Sequence, residues 1–286
     1  MIKKLSLFIY NILYSFDKIL YLLTKRKILI WFNEFIEINS YRKLMLCGKE
    51  INFFVPNHLI DFRINTYFTK EPETLAWIDS FNSSEKIIFW DIGANIGLYS
   101  IYNAIKNKNS QTISFEPSSS NLRVLSRNIS INKLENNIKI FPIPLTNKEN
   151  QFLTMKEGQF IEGGALNSFG EDLNFEGKSF KSEMNYTLFG TNINYLLDNE
   201  LLEIPDYIKI DVDGIEHLIL DGAIKHLGNK KIKSLSIEIN ENFTEQFEKT
   251  IEIMSKYEFK ILQKKNNQEM FKNTSFNKSF NYIFIR

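Results

Sequence analysis

The chain has 286 residues, 43% of them hydrophobic and 24% charged, with 35 basic and 34 acidic side chains for a net charge of +1. That balance suits a globular α/β domain with an accessory piece and leaves no surplus of positive charge for a dedicated nucleic-acid surface. One cysteine, Cys47, excludes an internal disulfide framework, and three scattered histidines offer no zinc-type cluster, so a reducing, cytoplasmic setting is expected.

Residues 1–40 open with MIKKLSLFIYNILYSFDKILYLL, two lysines followed by an apolar run, as a signal sequence would. No small-residue cleavage site follows, and Asp17 and Lys18 interrupt the run short of the ~18–20 apolar residues a bilayer span needs. The expectation is an amphipathic helical extension packed on the main domain, with docking on a partner or peripherally at a membrane surface as alternatives. Residues 41–286 form the main domain. Within 41–85, KLMLCGKEINFFVP predicts a hairpin, and Pro72 followed by Glu73 marks a helix start. Alternation follows: strand 87–91, helix about 97–107, strand 112–116, helix about 119–131 and strand 138–143, the pattern of parallel strands joined by helical crossovers. Residues 146–190, with Gly158, Gly163, Gly164, Gly170, Gly177 and Gly190, read as a functional loop or lid. Alternation resumes with helix 192–199, strand 206–212, helix 214–226, strand 233–239 and helix 243–256. Strands 258–262 and 281–286 close it as a terminal hairpin that adds an antiparallel strand.

The most informative segment is FWDIGANIGLYS, residues 89–100. An apolar strand ends in Asp91, turns through Gly93, Asn95 and Gly97, and opens into a helix, which is the shape of a nucleotide pocket at the carboxyl edge of a parallel sheet. A dinucleotide fingerprint would need glycine where Asn95 and Leu98 stand, and no Gly-Lys-Ser/Thr follows for a phosphate loop. A glycine turn entered from a carboxylate instead suits a cationic ligand such as S-adenosylmethionine, which carries a sulfonium and an ammonium. Glu116, ending the next strand in TISFEP, stands where a carboxylate accepts hydrogen bonds from ribose hydroxyls.

DIGANIGLYS, SFEPSSSNLRVLSRNISIN, YIKIDVDGIEHLILDGA and SIEIN together resemble the FkbM family of S-adenosylmethionine-dependent methyltransferases over roughly residues 45–260, and KEPETLAWID is similar to a segment of many members. The resemblance implies a class I, Rossmann-like fold: a mostly parallel seven-stranded sheet with helices on both faces. It implies methyl transfer, usually to a hydroxyl of a sugar, glycan or polyketide. It also implies cofactor contacts at Asp91, Gly93, Asn95, Gly97 and Glu116, with the loop Pro144–Asn147, Thr146 included, walling the adenine.

For the chemistry, IKIDVDGIEH gathers Asp211, Asp213, Glu216 and His217 at a strand-to-helix turn, and Glu238 and Asn240 end the next strand. Asp211, Glu238 and His217 are the expected catalytic groups, and Asp213, Glu216 and Asn240 the expected acceptor-binding ones. Asp213 and Glu216 also have the spacing of a helix capping box. Carboxylates of this kind can hold a cation, but no specific ligand spacing indicates a metal. The expected activity is O-methylation of a sugar or glycan precursor. A lipid, polyketide or amine acceptor, or a non-catalytic scaffold, are the alternatives.

Overall fold

In this computed structural model, which describes residues 1–179 and 181–286, the chain opens with two helices, α1 (Ile2–Thr24) and α2 (Leu29–Ile38). Asp17 and Lys18 do not interrupt α1, which runs 23 residues and is long and apolar enough, by length and composition, to cross a membrane. Nor does it pack on the main domain: Asp17 is the only buried residue of α1, and α2 buries none. The expected hairpin follows, with β1 (Tyr41–Leu46) antiparallel to β2 (Lys49–Phe54). Cys47 and Gly48 between them both take the positive φ of a two-residue hairpin turn. Then comes a helix with no counterpart among the expected elements, α3 (His58–Asn65), started by Asn57, whose Oδ1 accepts from the N–H groups of Leu59 and Ile60. At α4 (Pro72–Asp79), Pro72 opens the first turn, where its missing N–H is no loss.

The alternating elements are β3 (Ile87–Ile92), α5 (Leu98–Lys106), β4 (Ser110–Phe115), α6 (Ser119–Ile131) and β5 (Ile138–Phe141). The glycine-rich stretch expected as a loop contains a small antiparallel sheet of its own. Its strands β6 (Gln151–Glu157), β7 (Ser168–Phe169) and β8 (Met184–Gly190) lie in the order β7-β6-β8. The chain then forms α7 (Ile193–Asp198), β9 (Tyr207–Ile210), α8 (Glu216–Asp221) and β10 (Ser234–Asn240). It ends with α9 (Thr244–Lys256), β11 (Lys260–Lys265), α10 (Gln268–Phe271) and β12 (Ser279–Ile285).

Seven strands make one sheet in the order β11-β12-β10-β9-β3-β4-β5; β10, β9, β3, β4 and β5 are parallel, and β12 is antiparallel to both neighbours. This is the mostly parallel, Rossmann-like sheet expected from the sequence. β3 is apolar on both sides because helices cover both: Ile87 and Phe89 pack with Trp77, Ile101 and Leu125 on one face, and Ile88, Trp90 and Ile92 pack with Phe115 and Ile219 on the other. The strand order reverses at β3, whose neighbours are β4 on one side and β9 on the other, so a crevice opens past their carboxyl ends. One line of polar residues crosses the Phe89 face. The register sets Ser114, Asp91, Lys209 and Ser236 side by side on β4, β3, β9 and β10.

Candidate active site

The turn from β3 into α5 is built by close backbone approach. Gly93 has φ 84°, and a Cβ there would stand 1.8 Å from the Asp211 carbonyl oxygen, so this position tolerates no side chain. The N–H groups of Gly93 and Ala94 both donate to the Phe115 carbonyl, at 3.0 Å, tying the turn to the end of β4. Asn95, also at positive φ, donates its backbone N–H to Glu116 Oε2 (2.7 Å) and its amide to the Gly164 carbonyl (2.7 Å). The Ser118 N–H donates to Glu116 Oε1 (2.8 Å). Burial nonetheless outweighs these donors and pushes the Glu116 carboxyl up to about 7.

Gly93, Asn95 and Glu116 line a cleft of about 580 Å³ whose apolar walls include Phe115, Pro144, Leu145 and Met155. The segment from Gly163 to Leu166 lies over it as a strap. Asn121 accepts from the Gly163 N–H (2.9 Å) and donates to the Gly164 carbonyl (3.1 Å), Arg63 donates to the Gly163 carbonyl (2.8 Å), and the Leu166 N–H donates to Asp213 Oδ2 (2.7 Å). Two buried amide oxygens lining the cleft, Asn95 Oδ1 and Asn167 Oδ1, have no hydrogen-bond partner.

A second cleft, of about 1180 Å³, adjoins the first, and both are lined by Gly93, Asn95, Asp211 and Asp213. Its walls add Glu238, Glu71, Lys70 and Lys209, with the rings of Tyr99, Phe271 and Phe276. Charges here are layered. Lys209 is 2% exposed and pairs with Asp211 Oδ2 at 2.7 Å, with its ammonium 5.0 Å from the Tyr99 ring centre. Burial works against its charge, but Asp211, Asp91 and Glu71 together hold the ammonium well above its usual range. Burial also opposes the charge on Glu71, yet Lys70 and Lys209 keep it down at about 2, and Tyr99 Oη donates to it at 2.6 Å. Asp211, Asp213 and Glu238 each bring one oxygen within 4.8 Å of the others, a grouping the sequence spacing did not indicate, although the Lys209 ammonium already neutralises Asp211. Burial and the Asp211 charge raise Asp213 to about 6, and burial with both aspartates raises Glu238 well above the carboxylate range.

Of the expected residues, the fold therefore brings together Gly93, Asn95, Glu116, Asp211, Asp213 and Glu238 around the two clefts. Asp91 lies beneath them, fully buried, with Oδ2 accepting from Ser100 Oγ (2.5 Å) and its pKa raised by burial against the pull of Lys209. Gly97 shapes the start of α5 at φ 87°, where a Cβ would meet Leu125 Cδ1 at 2.6 Å, and lines neither cleft.

Five expectations need correction. Thr146, within the loop expected to wall the adenine, is buried with its N–H bonded to the Thr191 carbonyl, and it lines neither cleft. Glu216 turns back to accept the N–H groups of Val212 (2.9 Å) and Gly214 (3.0 Å), so it shapes the loop instead of meeting an acceptor. Nor do Asp213 and Glu216 form a capping box, because Asp213 takes positive φ and its side chain goes to the strap. His217 points to the far side of α8, edge-on to Phe243, where burial and then Lys249 lower it to about 4. Asn240 is a clamp, donating to the Phe175 carbonyl (3.0 Å) and accepting from the Asn242 N–H (3.0 Å).

Lys209, Lys70, Glu71 and Tyr99 belong to the site without having been expected. The one available signal was a lysine inside the apolar run YIKI, a position that stays charged when buried only beside carboxylates.

Among curated proteins nothing matches. Among solved structures the chain is similar to a precorrin-6y C5,15-methyltransferase from Geobacter metallireducens, at 13% identity over 76% of this chain and 86% of that one, with a TM-score of 0.43. It is similar to P. horikoshii TYW2 in complex with MeSAdo, at 12% identity over 86% and 70%, with a TM-score of 0.45. It is also similar to the fibrillarin pre-rRNA processing protein of Methanococcus jannaschii, at 14% identity over 87% and 83%, with a TM-score of 0.46. The Methyltransferase FkbM domain matches residues 91–261. That match begins at Asp91, runs through both clefts and takes in more than half of the sequence, so the chain belongs to the FkbM methyltransferases, enzymes whose methyl donor is S-adenosylmethionine.

Proposed function

We propose that the chain transfers the methyl group to a hydroxyl of a sugar or glycan precursor. The observation that carries this reading is the meeting of the two clefts at Gly93, Asn95, Asp211 and Asp213, with carboxylates and aromatic rings around the second. Carboxylates accept hydrogen bonds from several hydroxyls at once, and ring faces stack on the apolar side of a pyranose.

The first cleft fits the cofactor by its donor set. Glu116 gives one backbone-bonded lone pair on each oxygen and keeps another free for a ribose hydroxyl. Phe115, Pro144 and Leu145 offer flat apolar walls to a purine, and the unpartnered Asn95 Oδ1 is placed to accept from an ammonium. Bound there, S-adenosylmethionine supplies an electrophilic methyl carbon and a neutral thioether as leaving group. The protein's contribution is position: an acceptor oxygen must be held in line, roughly 3 Å from that carbon. Glu238 is the group we assign to the proton. Burial and the neighbouring aspartates make its ionised form a stronger base than an ordinary carboxylate, and that form takes the proton the hydroxyl loses as the C–O bond forms, a contribution of about 10²- to 10⁴-fold. Asp211, paired with Lys209, holds the acceptor.

Incubation of the full chain with methyl-labelled cofactor and a panel of nucleotide sugars and glycans tests the reading. Label should appear on an acceptor oxygen and depend on Glu238. Label on an amine nitrogen, or on lipids alone, would overturn it.

A further inference from the structure

We propose that α1 and α2 form a helical hairpin that docks the protein on an anionic lipid bilayer, lying in the plane of the interface. An apolar face of α1 at helical spacing stays in water. Leu5, Phe8, Ile12, Phe16 and Ile19 are each more than half exposed, and so are Ile30, Phe35 and Ile36 of α2. Soluble monomers seldom expose contiguous apolar surface beyond a few hundred Å². Lys3, Lys18 and the rings of Tyr14 and Tyr21 point away from that face, so a helix lying in the interface sets the apolar side chains among acyl chains and keeps the cations at headgroup level.

Charge names the lipid. Residues 1–28 carry six basic side chains, Lys3, Lys4, Lys18, Lys25, Arg26 and Lys27, against the one acid Asp17. Asp17 is withdrawn from the surface: it is 4% exposed, and its Oδ1 accepts from the N–H groups of Ile28 (2.6 Å) and Leu29 (3.2 Å), capping α2. The charges residues 1–28 turn outward are therefore positive, near the start of α1, at Lys18 and just past its last turn, while α2 adds the exposed Glu34 and the half-buried Glu37, the latter paired with arginines of α6. Phosphate headgroups satisfy that pattern at every cluster when the helix lies flat. Spanning would bury Lys18 and pull α2 into the hydrocarbon, since Asp17 holds the start of α2 beside the last turns of α1. Tyr10, Tyr14, Tyr21 and Trp31 supply the amphipathic rings that favour the headgroup level.

The hairpin is also fixed to the enzyme. Glu37, in the last turn of α2, pairs with Arg123 (2.6 Å) and Arg127 (2.7 Å) of α6, and hydrogen bonding from Arg127 lowers its pKa. Docking thus keeps the methyltransferase domain next to the membrane.

The test uses the full chain with vesicles of phosphatidylcholine alone or with added phosphatidylglycerol. Co-sedimentation should occur with the anionic vesicles, weaken as salt rises, and fall roughly a hundredfold in the triple variant Lys25→Glu, Arg26→Glu, Lys27→Glu. Trp31 is 57% exposed while Trp77 and Trp90 are 4% and 0% exposed, so quenching of tryptophan emission by brominated lipid reads Trp31. Shallow bromines should quench it most. Equal recovery with and without vesicles overturns the proposal. So does concentration-dependent self-association without lipid binding, and so does salt-resistant binding with strongest quenching from deep bromines, which would mean a span. Circular dichroism of the triple variant, matched to the wild type, ensures that lost binding reports lost charge.

Discussion

Glu116 joins two loops that must close around one ligand, since its two oxygens take the N–H groups of Asn95 and Ser118. Because burial raises its carboxyl to about 7, only its ionised form is an acceptor on both oxygens, and the cofactor should bind that form. The sign follows: affinity for S-adenosylmethionine should rise with pH through about 7 and fall by up to about tenfold per unit below it, measured by titration calorimetry. Glu116→Ala should weaken binding by roughly 10- to 100-fold and flatten that pH dependence. Unchanged affinity would remove the ribose assignment. Glu238 is separable from this. Its proton affinity is raised by burial, Asp211 and Asp213, so its basic form accumulates as pH rises and kcat should climb with it. Glu238→Gln should lower kcat by about 10²-fold or more, abolish the alkaline rise and leave cofactor affinity in place. Lys209 acts by compensation. Lys209→Met would leave the buried Asp91 and the half-buried Asp211 without their shared cation, at a cost of about 3–5 kcal/mol. A Tm equal to that of the wild type would show that the ammonium is not needed to hold those carboxylates in place.

At the scale of elements, the Gly163–Leu166 strap decides access to the first cleft, and its latches are side chains. Asn121, 1% exposed, makes two of them. Asn121→Ala should free the strap: amide exchange at residues 163–166 should accelerate markedly and cofactor affinity should drop, while exchange in β3 and β4 stays slow. Uniform acceleration would mean global destabilisation instead. The strap was foreseeable as a glycine-rich cover, but the sheet that carries it was not. In β6 and β8 exposed and part-buried positions dominate, so these strands owe their register to each other and not to a hydrophobic pattern of their own. α3 escaped notice for a similar reason, with only Ile60 and Ile64 buried. Strands buried on both faces, such as IIFWDI, announce themselves, and so do the carboxylates that end them. His217 and Asn240 stand at the right end of the sheet, yet a rotation of about 100° per residue along a helix turns the histidine outward, and clamping of Phe175 occupies the asparagine. Lys209 becomes legible only through its neighbours across the sheet, which sequence spacing does not reveal.

The whole molecule divides into a methyltransferase core and a hairpin that contributes nothing to it. Both hydrophobic clusters draw their buried residues from Leu46 onward, one on each face of the sheet. What joins the hairpin to the core is the pairing of Glu37 with Arg123 and Arg127, all three side chains being about a third or more exposed. Ion pairs of that kind contribute about 0–1 kcal/mol each. Removing residues 1–38 should therefore shift Tm by only a few degrees, since about 1 kcal/mol moves a domain of this size by roughly 2–4 °C. It should also raise solubility by deleting the exposed apolar surface, and methyl transfer to a water-soluble acceptor should persist. Differential scanning calorimetry of the shortened chain beside the full one gives the comparison. A fall in Tm of more than about 10 °C would exceed what two such pairs supply and would make the hairpin a structural part of the enzyme. A matching Tm together with loss of vesicle binding would place the segment's free energy in the membrane and not in the fold.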